Sequence, residues 1–145
     1  MNVVRELPKN AWNSFVMEHP QGNIFHSPEM FAVWKSTKGY VPELWAAVEN
    51  ETIAALFIPV HISLAGGMMK RLTTRTVVFG GALCADGPFG EDGLRAILIA
   101  YRQYARGISL FTEVRNLFDA GGMAHVMNEL GFKFEGHLNY LISLR

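Results

Sequence analysis

One cysteine in 145 residues excludes a disulfide framework, and a charged fraction of only 18% beside 50% hydrophobic residues excludes a disordered tail. An excess of one charge is lacking too. Thirteen Lys and Arg balance thirteen Asp and Glu at a pI near 7.0, so no overall field recruits nucleic acid or anionic lipid. The opening MNVVRELPKNAW has no apolar run followed by a small-residue cleavage site, so no signal peptide is read and cytoplasmic residence is expected. The longest uncharged stretch, residues 52–69, approaches the roughly 17 to 25 residues of a membrane span. It contains Pro59, His61, Ser63, Gly66 and Gly67, so a strand followed by a turn is expected there instead of a span. No repeat, low-complexity tract or Pro/Ser-rich linker divides the chain, and residues 1–145 read as one domain.

What is present has clear periodicity. A short strand is expected over residues 3–7. Asn10 is then placed to cap a helix carrying Trp12, Phe15 and Val16 at i, i+3 and i+4, with Pro20 as its stop. Ser27-Pro28-Glu29 predicts a second helix with a Ser cap, Pro at its first position and an acid in its first turn, running to about Lys38 and ending at Gly39. Residues 44–49 and 52–64 read as two strands of a hairpin about Asn50-Glu51, with Leu56, Ile58, Val60, Ile62 and Leu64 on one face. Pro59 cannot donate to a ladder and predicts a bulge or an edge. After a turn at Gly66-Gly67, residues 70–79 form a Thr- and Val-rich strand.

Residues 80–93, with five Gly and one Pro, read as an irregular, solvated loop. A helix follows on Leu94, Ile97, Leu98 and Tyr101, then a buried strand over residues 109–115. A helix capped by Asp119 and closed by Gly131 comes next, and a last strand over residues 133–144 is interrupted near Gly136-His137. The order β-α-α-β-β-β-α-β-α-β implies an α/β fold with a mixed sheet and helices on both faces.

Residues with possible chemistry are few. Five His and one Cys show no metal-ligand spacing. Cys84 lies in the Gly-rich segment without a base placed beside it, so a plain small loop residue competes with a nucleophile. A loop leading into a helix start can cradle phosphate, but Asp86, Glu91 and Asp92 put carboxylates where an anion would sit. Glu113, Arg115 and Asn116 end a strand at the edge where open α/β sheets place ligands; Glu113 and Arg115 share a face, and a buried or half-buried ion pair with Asn116 as a turn residue is the favoured alternative. Asn139 and Tyr140 form a further polar pair with a ladder-side alternative. Lys35 and Lys38, near Trp34 and Tyr40, make a small basic and aromatic cluster that also complements a helix dipole.

The segments HPQGNIFHSPEMFAVWKSTKGYVPELWAAVENETIAALFIPV, RTVVFGG, FTEVRNLFD and LGFKFEGHLNYLISL resemble the N-terminal domain of Fem-type aminoacyltransferases, which have the Gcn5-related acyltransferase (GNAT) fold. Complete members resemble two such domains in tandem. The resemblance implies an acceptor-binding half that is inactive alone and takes a nucleotide-linked cell-envelope precursor. Aminoacyl-tRNA would be the donor only with a second domain. It implies attack of a neutral amine on an ester carbonyl. By the FAVWK register Lys35 matches the precursor-binding lysine; Phe79, Gly80 and Gly81 match one strand end at the cleft, and Arg115 and Asn116 match its neighbour. No catalytic role is carried over to any of them. The [RQ]xxGx[GA] run that holds the coenzyme A pyrophosphate in related acetyltransferases is missing, so no cofactor is expected. An atypical acetyl-CoA transferase and a noncatalytic binding domain remain as alternatives.

Overall fold

The computed structural model describes residues 1–63, 73–119 and 121–136. Its strands are β1 (Asn2–Val4), β2 (Tyr40–Pro42), β3 (Trp45–Glu49), β4 (Thr52–Phe57), β5 (Pro59–Ser63), β6 (Thr74–Gly80), β7 (Leu83–Cys84) and β8 (Thr112–Asn116). Its helices are α1 (Lys9–Glu18), α2 (Pro28–Ser36), α3 (Gly87–Ala105) and α4 (Gly121–Glu129). Among the described residues the ladders run β1-β3-β4-β7 and β2-β5-β6-β8. One layer of side chains runs through both: α3 and α4 cover Trp45, Ala55 and Phe57 of the first ladder and Val78 of the second. On the opposite face, Trp12 and Val16 of α1 and Trp34 of α2 pack on Leu56, Ile58, Val60, Ile62, Val77 and Leu83.

The hairpin forms as its sequence dictates. Asn50 and Glu51 both adopt positive φ (48° and 65°), which gives a two-residue turn whose twist matches the strands it joins. Ile58 separates β4 from β5 beside Pro59, so the expected irregularity is present, and Pro59 pairs with Val78 while its carbonyl accepts from the Glu43 amide. β6 and β8 are parallel, joined through β7 and α3, with Phe79 opposite Arg115 and Gly80 opposite Asn116.

Several expectations need correction. The first strand is Asn2–Val4, earlier than residues 3–7. The first helix begins at Lys9, after Pro8, and makes no side-chain cap bond, so Asn10 lies inside it. The second helix keeps its cap, Ser27 Oγ accepting from the Met30 amide at 3.1 Å, but ends at Ser36. Thr37 is extended there and its hydroxyl donates to Val33 O, a bond that competes with a further helical turn.

The largest difference concerns residues 80–93. They are not a solvated loop: they hold β7, and α3 starts at Gly87 with Pro88 in its first turn. Gly90 and Gly93 are buried within that helix, Gly90 against the backbone of Ala85 just before the helix and Gly93 where the helix approaches the sheet closely. A Cβ on Gly93 would lie 2.8 Å from the Ala54 Cβ and 3.2 Å from that of Ala55. These glycines permit packing, which composition cannot distinguish from loop formation.

Ahead of the last helix Asp119 Oδ1 accepts from the Gly121 amide at 2.9 Å, a turn leading into the first helical residue, and Gly131 (φ +88°) closes the helix with Phe132 N donating back to Met127 O. Residues 133–136 are not in a strand. The rest of the expected final strand, with Asn139 and Tyr140, and the turn at Gly66-Gly67 lie outside the described residues. No helix among the described residues is long and apolar enough to cross a membrane.

Candidate functional site

The carboxyl ends of the parallel strands β6 and β8 bring Phe79, Gly80, Gly81, Arg115 and Asn116 together. Phe79 and Arg115 point to the face covered by α1 and α2; Asn116 follows Thr112 and Val114 on the face covered by α3 and α4. The Phe79 ring packs with those of Trp34 (5.6 Å) and Phe25 (5.8 Å), forming a three-ring cluster under α2. The Arg115 guanidinium lies 5.8 Å from the Phe79 ring, at the outer limit of a cation–π contact. It grips Glu113 with two bonds, Nε at 2.8 Å and Nη2 at 3.2 Å, and this carboxylate raises its pKa, so its charge is fixed at every working pH. The two side chains are 48% and 40% exposed: the pair expected from strand alternation exists, but at the surface.

Two consecutive glycines at φ +83° end β6 and turn the chain out of the ladder with β8 and into pairing with β4. At Gly80 a Cβ would lie 2.8 Å from the ring of His26, and at Gly81 it would overlap Asn116 Oδ1. The strand end is thus walled by a histidine on one side and an amide on the other. Lys35 lies exposed in the last turn of α2, beside the buried Trp34 that makes the contact with Phe79. A groove of about 1240 Å³ borders β8 and α4, reaching Arg115, Asn116 and Phe118 at one end and Tyr101, Thr112 and Met127 elsewhere. It takes in the β8 half of the predicted set and is not lined by Phe79, Gly80 or Gly81.

Sequence reasoning overlooked two histidines. His26 is fully buried; its Nε2 lies 3.2 Å from Gly81 O, and Nδ1 has no hydrogen-bond partner among the described residues. Burial lowers its pKa to about 4, with His19 adding to that effect against the opposing carbonyl bonds, so the ring is neutral at pH 7. His19 Nδ1 accepts from the Gln21 amide, which leaves Nε2–H to donate to Cys84 O at 2.8 Å. The spacing of the two speaks only to metal ligation, and no cluster of three metal-ligating side chains occurs among the described residues. The remaining sequence signal is weak: two His in and beside the loop between helices, with a Gly-Gly pair far along the chain.

Cys84 is poorly suited to act as a nucleophile. It is buried, and burial pushes its thiol up to about 12, so almost no thiolate exists at neutral pH. A second polar cluster lies toward the other end of the sheet. There Glu43 accepts from Tyr104 Oη, and its Oε2 forms an ion pair with Arg5 Nη2 at 3.0 Å and lies 3.3 Å from His61 Nε2. Burial would raise the Glu43 carboxyl, but His61, Tyr104 and Arg5 outweigh it and hold the group below its ordinary value. Its buried acceptors are met within the protein, so the cluster reads as a fastening between β1, β5 and α3.

The start of α3 has a different charge character from the strand ends. Pro88 removes one first-turn amide, Asp86 occupies the cap without a cap bond, and Glu91 and Asp92 follow within the next turn.

No family model matches the sequence, and no curated protein is significantly similar to it. Solved structures are similar in fold. The protein TTHA1254 of Thermus thermophilus superposes with a TM-score of 0.63 at 12% identity, over 100% of this chain and 98% of that one. The aminoglycoside 6'-N-acetyltransferase AAC(6')-Ig of Acinetobacter haemolyticus gives 0.61 at 10% identity, over 100% and 99%. AAC(6')-Ih of Acinetobacter baumannii gives 0.59 at 11%, over 99% and 98%. With this strand order and these structural neighbours, the chain has the Gcn5-related acyltransferase fold.

Proposed function

We propose that this domain is a Fem-like member of the acyltransferase fold that binds the acceptor, a nucleotide-linked cell-envelope precursor, at the ends of β6 and β8. The observation that carries the reading is the contrast in charge between the two places where an anion could bind. The start of α3 offers a proline and three carboxylates, which disfavours a coenzyme A pyrophosphate. The strand ends offer the Arg115 guanidinium beside the Phe79 ring, its charge shared with the Glu113 carboxylate, and Lys35 on the helix packed over that ring adds the excess positive charge. A guanidinium and a lysine suit a diphosphate, and the aromatic cluster suits the planar or apolar part of such a ligand. In the reaction this half would orient the acceptor amine. Proton removal and oxyanion stabilisation would fall to groups outside the described residues or to a second domain.

A second reading, transfer of an acetyl group from coenzyme A to an amine, is supported by the likeness in fold to the two aminoglycoside acetyltransferases.

Alanine substitution tests the first reading. Lys35→Ala and Arg115→Ala are each expected to weaken binding of UDP-N-acetylmuramoyl-pentapeptide by roughly ten- to hundredfold. That is the loss of one charge-assisted hydrogen bond, about 1.5 to 3 kcal/mol. Lys38→Ala, on the exposed turn after α2, serves as the control and should leave affinity unchanged. Unchanged affinity in Lys35→Ala would limit that lysine to complementing its helix dipole.

A further inference from the structure

We infer that His19 and His26 are positioning residues for this cleft: they pin the chain that leaves β6, at Gly81 and Cys84, to the α1–α2 loop. The inference rests on the reading of the strand ends as the acceptor site.

The β6–β8 ladder stops at the Gly80–Asn116 pair, and the chain then turns through two residues of positive φ to pair with β4 at Leu83 and Cys84. Such a departure frees carbonyl groups from the ladder, and buried carbonyls require donors. The α1–α2 loop supplies both. His26 reaches Gly81 O across 55 positions of sequence, and His19 reaches Cys84 O across 65. Each bond needs the proton on Nε2. At His19 the Gln21 amide enforces this by donating to Nδ1, and at His26 the carbonyl itself selects the tautomer.

The loop is itself held firmly. The Trp12 indole donates to His26 O at 2.7 Å, and Asn23 Oδ1 accepts from the Phe25 amide, so the imidazoles are presented from an ordered frame. Phe25 of the same loop belongs to the ring cluster on Phe79. The loop that carries part of the ligand surface thus also fixes the strand end opposite Asn116.

Side-chain length separates this role from mere burial of a polar ring. The amide nitrogen of Gln can occupy the place of Nε2, whereas that of Asn falls near Nδ1 and cannot reach either carbonyl. The experiment compares His19→Gln, His26→Gln, His19→Asn and His26→Asn for amide hydrogen exchange, thermal unfolding and affinity for UDP-N-acetylmuramoyl-pentapeptide. The Asn variants are expected to exchange at least tenfold faster over residues 81–84 and to bind at least tenfold more weakly, with both properties restored by Gln. Exchange over residues 81–84 that is the same in Asn and Gln variants would overturn the inference. So would precursor affinity that follows the loss of thermal stability alone. If the wild-type protein binds no precursor, the reading of the acceptor site fails, and the exchange comparison still decides whether the histidines hold the strand end.

Discussion

Gly93→Leu is expected to destabilise the protein by about 3 kcal/mol, the upper part of the usual range for overpacking, and to lower the urea midpoint accordingly. The cause is the close approach of α3 to β4, where even a methyl group at position 93 would lie 2.8 Å from the Ala54 Cβ and 3.2 Å from the Ala54 carbonyl carbon. Neither atom can swing aside, because one is a rigid alanine methyl and the other is backbone in a central strand. Gly93→Ala gives the sharper comparison. On an open helix face this exchange would stabilise by about 1 kcal/mol. Here the expected sign is reversed, a net loss of about 1 kcal/mol or more. A stabilised alanine variant would show that the helix can lift without cost, and the packing account of this glycine would be wrong.

Acidification should cost about 3 kcal/mol through His26 alone. Its folded-state pKa is about 4 against an ordinary 6.5, chiefly because burial excludes the charged form. The unfolded chain therefore takes up the proton first. The stability contributed by the neutral ring is complete above pH 6.5, falls as the pH descends below it, and is lost by about pH 4. Glu43 acts in a lower window: its folded carboxyl lies below the ordinary 4.5, so its contribution fades only beneath that value. Urea unfolding of wild type and His26→Gln between about pH 7 and about pH 4.5 isolates the histidine. The wild type should lose stability across this interval while the glutamine variant stays nearly level, and parallel curves would contradict the buried neutral ring.

How much of this was legible in the sequence depended on whether the signal was local. The Ser27 cap, the Asn50-Glu51 hairpin and the irregularity at Pro59 are dictated by neighbouring residues, and each forms where the sequence places it. The pairing of Phe79 with Arg115 and of Gly80 with Asn116 follows from element order, since consecutive strands joined by a helix tend to lie side by side. Residues 80–93 mislead because a glycine needed for close packing is written with the same letter as a glycine needed for a turn. Gly93 and Gly80 differ in what lies opposite them, Ala54 in one case and His26 in the other. The histidine clamp is invisible for the same reason, since the carbonyls it serves belong to residues 55 and 65 positions away. Lys35 could be placed on its helix from the sequence, but its distance from Arg115 depends on how α2 seats through Trp34.

The proposed anion site lies at the strand ends and not at the start of α3. Calorimetric titration of the same protein with UDP-N-acetylmuramoyl-pentapeptide and with coenzyme A tests it most directly. Measurable binding of the nucleotide-linked precursor is expected, and none of coenzyme A at physiological concentrations. A micromolar dissociation constant for coenzyme A, about 8 kcal/mol of binding free energy, with no binding of the precursor would contradict it and assign the domain to acetyl transfer.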